Sequence, residues 1–218
     1  MSLSPLTANE ARVLGVLVEK SKTTPDAYPL TVNSLCAGCN QKTSRDPVMN
    51  LSEAEVQATL EDLRGRTLIM ESYGASGRVL RYAHNFAKVY GLPAAAVDLL
   101  AVLILRGPQT ASELRANCER LHHFADASAV EGYLEELASR EVGTLAMKLP
   151  RQPGAREQRW AHLLCGEPVQ LPDSTPATAS ATASATTPAT TPSVLEERVT
   201  RLEQEVSELR AALARLAD

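Results

Sequence analysis

Aromatic residues are scarce in this sequence, 4% of the chain: one Trp, two Phe and five Tyr. Recognition of single strands by base stacking draws on such rings, so that mode has little to use. Positive charge is not in surplus either. The formal net charge is −4, which gives no global basic field of the kind that attracts nucleic acid. No apolar run approaches the roughly 18 residues that a membrane-spanning helix needs. The opening Met1-Ser-Leu-Ser-Pro-Leu-Thr7 lacks the charged and apolar regions of a secretory signal. The expectation is a cytoplasmic protein that does not enter a membrane, with its four cysteines as reduced thiols. Catalytic signatures are also missing. There is no Walker loop, no Gly-rich nucleotide fingerprint, no His-Glu-x-x-His and no Ser/His/Asp order. The expectation is therefore a non-enzymatic protein with no catalytic residues, cofactor or metal.

What is present falls into distinct regions. Residues 172–193 are almost entirely Pro, Ala, Thr and Ser, a composition with nothing to bury that reads as a disordered tether. The globular part is residues 1–167, and it repeats itself. In the first copy, Thr7-Ala-Asn-Glu10 is a capping box that opens a helix. Val13, Leu14, Leu17 and Val18 keep its helical period. Thr24-Pro25 and Tyr28-Pro29 break it, since proline and its predecessor resist helix. Thr31 caps a short second helix ending near Cys39, and a polar loop runs to Asp46-Pro47. Ser52-Glu-Ala-Glu55 is a second capping box. It opens a third helix with Val56, Leu60 and Leu63 on one face. Strand-like runs at 68–73 and 78–83 flank Gly74-Ala-Ser-Gly77, a hairpin signal.

The second copy follows the same plan. An apolar helix over 92–105 stops at Gly107-Pro108, and Thr110-Ala-Ser-Glu113 is another capping box. Val130, Leu134 and Leu137 repeat the third-helix stripe. Strand-like runs at 145–149 and 156–161 flank a Pro-Gly turn. Arg159-Trp160-Ala161-His162 matches Arg81-Tyr82-Ala83-His84, and the offset between copies is near 79 residues. Three helices followed by a β-hairpin make a winged helix, a helix-turn-helix variant. The predicted fold class is mainly α with small β-hairpins: two tandem winged helices over 1–90 and 91–167, a linker over 168–193, and a coiled-coil helix over 194–218.

Cys36-Ala-Gly-Cys39 raises metal or redox chemistry. In the repeat, Cys39 aligns with Cys118, so both copies place a small apolar residue at the end of the second helix. A free cysteine behaves as a small buried hydrophobe, and the expectation is packing. A zinc set would need four ligands, and the nearest formal set pairs Cys36 and Cys39 with Cys118 and His122, about 80 residues on. A redox pair sits at a helix start after a strand, whereas Cys39 sits at a helix end. His84 and His162 also align, and a shared packing or hydrogen-bonding position is expected for them.

The runs Leu-Thr-x-x-Glu-Ala-Arg-Val-Leu over 6–14, Thr-Thr-Pro-x-x-Tyr-Pro-Leu-x-Val-Asn over 23–33 and Cys-Asn-Gln-Lys-Thr-Ser-Arg-Asp-Pro-Val-Met-Asn-Leu-Ser-Glu over 39–53 resemble the YceH family. Arg78-Val-x-x-Tyr82 and Gly154-x-Arg156-Glu-x-Arg159 fit the same family. The resemblance covers residues 6–165. It implies two winged-helix domains in a bacterial family of uncharacterised function and brings no catalytic or ligand residue. Cys39 belongs to the family's pattern and Cys36 does not, and the linker and tail lie outside it.

Charge decides how well such domains would read DNA. The third helix of the first copy carries Glu53, Glu55, Glu61 and Asp62 ahead of Arg64 and Arg66, and its counterpart carries Glu131, Glu135 and Glu136. Acidic residues suit the start of a helix but not a groove lined by phosphates. Positive charge gathers instead in the loop Asn40-Gln41-Lys42 to Arg45 and on the wings, at Arg78, Arg81, Arg156 and Arg159. Phosphate contacts of this kind set affinity without sequence. The same residues suit intramolecular duties: Arg45 holding its own loop, Arg81 and Arg159 pairing at matching strand positions. Two partners stand open, duplex DNA gripped by loop and wings, or a protein docked on the same surface.

From Leu195 the apolar residues step four and three: Leu195, Val199, Leu202, Val206, Leu209, Leu213, Leu216. Val199, Val206 and Leu213 fall at a, and leucines at d, a pattern that favours a parallel dimer. Arg198 at g faces Glu203 at e of the partner copy, and Glu205 faces Arg210. The tail is expected to join two copies of the chain.

Overall fold

The computed structural model describes residues 4–73, 77, 79–141 and 143–167. They lie within one compact unit spanning residues 1–170. The first half runs α1 (Ala8–Thr23), a single 3-10 turn (Pro25–Ala27), α2 (Val32–Cys39), α3 (Glu53–Gly65), β1 (Ile69–Tyr73) and β2 (Leu80–His84). A short α4 (Phe86–Tyr90) leads into the second half: α5 (Ala94–Arg106), α6 (Ala111–Cys118), α7 (Ala127–Ala138), β3 (Ala146–Lys148) and β4 (Trp160–His162). The architecture is mixed: helices carrying two small antiparallel hairpins. Among the described residues no helix is long and apolar enough to cross a membrane.

The start signals work as the sequence implies. Thr7, Ser52 and Thr110 each close a full capping box with Glu10, Glu55 and Glu113, and Thr31 and Asp126 cap α2 and α7 with their side chains. Each cap satisfies an amide that the helix itself leaves unpaired. The apolar stripes also bury as expected: Val56, Leu60 and Leu63 on α3, and Val130, Leu134 and Leu137 on α7, are at most 2% exposed.

The repeat extends to hydrogen bonds that the sequence does not advertise. Leu30 exchanges backbone bonds with Tyr82, at 3.0 and 2.8 Å, and Gln109 does so with Trp160, at 3.1 and 2.7 Å. Each pair adds a one-residue third strand to its hairpin, taken from the connection between first and second helices. The Leu68 amide donates to the Leu63 carbonyl, and the Leu145 amide to the Leu137 carbonyl, both at 3.0 Å. The offset is 79 at the second helices, Val32–Cys39 against Ala111–Cys118, but 74 at the third, Val56 against Val130, because residues 40–52 are replaced by the shorter 119–126 in the second half.

Two features differ from the sequence reading. The hairpin of the second half is shorter than predicted: the ladder ends at Lys148 and Trp160, and Arg156 lies in the connection between the strands, where Gly154 takes a positive φ of 79°. The helix α4, closed by Gly91 at φ 62°, was not anticipated. Its five residues are too few for a helical period to show. Burial of α1 also extends beyond its apolar stripe. Every residue from Glu10 to Val18 is buried, as is every residue from Ala95 to Leu105 on α5. The two helices pack against each other and form the spine of one shared core.

Gly15 lies at this crossing. A Cβ there would stand 3.0 Å from Ile104 Cγ2 and 3.2 Å from Leu105 Cγ, so the missing side chain sets how closely the halves approach. The Leu6 amide donates to the Leu164 carbonyl at 2.7 Å, joining the start of the first half to the end of the second.

Candidate interaction surface

The loop of residues 40–51, whose polar part 40–47 the sequence offers as a contact surface, is first of all a clasp between the two halves. The Asn40 side chain closes its base: Oδ1 accepts from the Leu51 amide and Nδ2 donates to the Leu51 carbonyl, both at 2.7 Å. The Asp46 amide donates to the Leu105 carbonyl at 2.8 Å, satisfying a carbonyl at the C-terminal end of α5. Arg106 Nη2 donates to Ser44 Oγ at 2.7 Å. Ser44 has φ 60°, a left-handed backbone that costs a non-glycine residue about 1 kcal/mol or more. Contacts on both its hydroxyl and its carbonyl hold it there.

Beneath the loop sit two buried arginines. The Arg45 side chain is 0% exposed and pairs with both carboxylate oxygens of Glu19, at 3.1 and 2.6 Å. Its remaining reach goes to the Gly38 and Ser44 carbonyls, at 3.1 and 2.8 Å. Glu19 is held below the usual carboxylate range: burial pushes it up, but its bonds to Arg45 and the charge of Lys20 pull it down further. Arg12, on α1, donates to the Cys39 carbonyl at 3.2 Å and the Pro47 carbonyl at 2.6 Å. Its pKa is lowered, by burial first and then by nearby Arg45. Arg12 and Glu19 were not picked out from sequence, because both read as polar positions on an exposed face.

Other expected contact residues divide in the same way. Arg81 Nη1 donates to the Pro29 carbonyl at 2.8 Å, and Arg159 Nη1 to the Pro108 carbonyl at 3.5 Å. The same bond thus recurs in both halves, tying each hairpin to the connection between its first two helices. Arg159 also lies 3.5 Å from Glu113 Oε1. Arg78 and the tail seam at Leu195, Val199, Leu202, Val206, Leu209, Leu213 and Leu216 lie outside the described residues. Gln41 is half-buried; Lys42 and Arg156 are exposed and have no hydrogen-bond or carboxylate partner among the described residues.

The cysteines lie where the repeat puts them. Cys39 and Cys118 end α2 and α6 and are 0% exposed, and burial pushes both thiols up to about 12. A thiol so far from ionising is a poor nucleophile and ligand. The Cys36 thiol donates to the Leu51 carbonyl at 3.1 Å, helping Asn40 shut the loop. His84 and His162 stand at matching positions opposite Ile69 and Ala146. The Nδ1 of each is buried without a partner among the described residues. Burial lowers both pKa values, that of His162 to about 4, so both rings are neutral near pH 7.

The exposed faces of the third helices are mainly acidic, and the first hairpin presents an apolar patch. Glu53, Glu61 and Asp62 on α3 and Glu135 and Glu136 on α7 face solvent. On the first hairpin Met70 is 52%, Tyr73 71% and Val79 48% exposed. Strand β1 pairs with β2 alone, since the other side of β2 is taken by Leu30. Its outer edge is unpaired among the described residues.

The model of a family described as "Protein of unknown function, DUF480" matches residues 6–155. The chain belongs to this family. Relatives named UPF0502 protein extend the likeness over nearly the whole chain. One from Acidovorax sp. (strain JS42) is 54% identical, covering 98% of this chain and 93% of the relative. One from Leptothrix cholodnii is 52% identical, covering 98% and 94%. One from Dechloromonas aromatica is 53% identical, covering 97% and 96%. The DUF480 match includes the whole 40–51 clasp, in keeping with the resemblance carried by residues 39–53.

Proposed function

We propose that this DUF480 chain is a non-enzymatic, cytoplasmic docking protein. Its two helical units are winged helices held as one body, and it binds another protein rather than duplex DNA. The observation that carries this reading is the surface of the third helices. Their exposed carboxylates, Glu53, Glu61, Asp62, Glu135 and Glu136, oppose a phosphate-lined groove and suit a basic protein surface. Arg45, Arg81 and Arg159, which would have supplied phosphate contacts, are engaged within the chain. The first wing supports the same choice. Exposed Met70, Tyr73 and Val79 beside an unpaired strand edge suit an apolar, extended partner segment.

A photo-crosslinking residue at Tyr73, introduced into the full chain in cells, tests the reading. The expected result is one recurrent protein adduct whose contact segment is basic and apolar, lost on Glu61→Lys with Asp62→Lys. Crosslinks to nucleic acid, or adducts that survive the charge reversal, count against it.

The same proposal makes the tail a dimerisation device acting through the a and d positions over 195–216. Two weak docking surfaces on one dimer would bind a repetitive partner far more tightly than either alone. In sedimentation equilibrium the full chain is expected to weigh as a dimer and a chain ending at Glu167 as a monomer. Equal masses for the two would remove the tail from this role.

A further inference from the structure

A polar cavity of about 350 Å³ opens where α1 ends, beside the clasp and next to the end of α6. Glu19, Lys20, Lys42, Thr43, Ser44 and Arg120 are among the residues that line it. It draws on both halves, since Arg120 belongs to the second and the others to the first.

The chemistry of the lining is one-sided. Lys42 and Arg120 are exposed and have no carboxylate or hydrogen-bond partner among the described residues. Lys20 adds a third cation, 3.3 Å from Glu19. The one carboxylate in the lining, Glu19, is already taken by Arg45 from behind, at 2.6 and 3.1 Å. The field in the cavity is therefore positive. The neutral groups add donors. Ser44 Oγ accepts the Arg106 hydrogen bond, which leaves its own hydrogen free to donate. Thr43 and the Gln41 amide also line the space, and neither has a side-chain partner among the described residues. Cations and neutral donors around a neutralised carboxylate fit an anion with several acceptor oxygens. Small-ligand cavities begin at roughly 300 Å³, so this one has room for more than a bare ion.

We propose that this cavity binds a small molecule through a phosphate or diphosphate group, held by Lys42 and Arg120. The site is separate from the acidic and apolar docking surface and does not depend on that reading. Because its lining reaches across both halves and includes Ser44 of the clasp, an occupied site would brace the joint.

The test uses the full chain, with amide resonances followed by NMR at low salt. Inorganic pyrophosphate is the probe, and duplex DNA of random sequence is the second arm. Pyrophosphate is expected to shift amides in residues 20–24, 41–44 and 120, with little change elsewhere. Lys42→Ala with Arg120→Ala should weaken this at least about tenfold, each cation contributing a charge-assisted contact. Both side chains are exposed, so an unchanged melting curve confirms that the double variant is folded. Arg156→Ala, another exposed arginine, should leave the affinity as it was. No localised shifts at about 10 mM pyrophosphate, where even a millimolar site is filled, would overturn the proposal. So would equal affinity in the double variant. Duplex DNA moving the same amides at lower concentration than pyrophosphate would assign the phosphate to nucleic acid and overturn the small-molecule site.

Discussion

Arg45→Met is expected to lower the unfolding free energy by about 3–5 kcal/mol, the usual cost of removing one member of a buried ion pair. The loss arises mostly from what is left behind. Glu19 would remain, 16% exposed, without the two bonds that hold its charge, and the Gly38 and Ser44 carbonyls would lose their donor. The loop would also lose its tether to α1, and with it the position of the Asp46 amide on α5. Changing both partners, Glu19→Leu with Arg45→Met, should recover much of the loss, because an apolar replacement of a buried pair is often near neutral. Urea denaturation of the four proteins of this cycle gives the coupling directly. A single-variant loss under about 1 kcal/mol would mean that the pair is an exposed one of little worth, against the 0% exposure of the Arg45 side chain.

Gly15→Leu is the second large effect, expected at about 3 kcal/mol or more, the upper end for overpacking a close-packed core. The first atom of the new side chain would already lie 3.0–3.2 Å from Ile104 and Leu105, and three more carbons would follow it into the α1–α5 crossing. The halves can accommodate these only by separating, which exposes the shared core. Gly15→Ala is the control. Its single added carbon meets Ile104 Cγ2 and Leu105 Cγ and Cδ2 at 3.0–3.2 Å, offset by about 1 kcal/mol of better helix propensity, so its loss should be much smaller than that of Gly15→Leu. Melting curves of both variants decide the matter. Two independent domains beside each other would tolerate Gly15→Leu with little loss.

Much of this fold was legible because each element carries its own local signal. Three capping boxes, paired stripes on α3 and α7, and matching hairpin residues are all short-range patterns, and the repeat let each half check the other. What escaped was long-range. Glu10 and Arg12 look like polar surface positions of α1, and only their distant partners, Arg66 for Glu10 and the Cys39 and Pro47 carbonyls for Arg12, show that they are buried, while Glu19 is half-buried against Arg45. The one-residue strands at Leu30 and Gln109 are too short to have a pattern. The polar composition of residues 40–47 reads as a contact loop, and in the structure it serves the chain's own backbone. Arg45 illustrates the difficulty: an arginine in a polar loop is a fair candidate for phosphate, and here it lies under the loop against Glu19. Lys42, by contrast, is exposed and has no carboxylate partner among the described residues.

The proposed function requires a surface that suits a protein and not the duplex. The most direct measurement is fluorescence anisotropy of random-sequence duplex DNA against the full chain, with salt titrated downward. No saturable binding is expected at micromolar protein even at low salt, because the third helices are mainly acidic and Arg45, Arg81 and Arg159 are engaged within the chain, which leaves few counterions to release. Micromolar binding that weakens steeply as salt rises would contradict it.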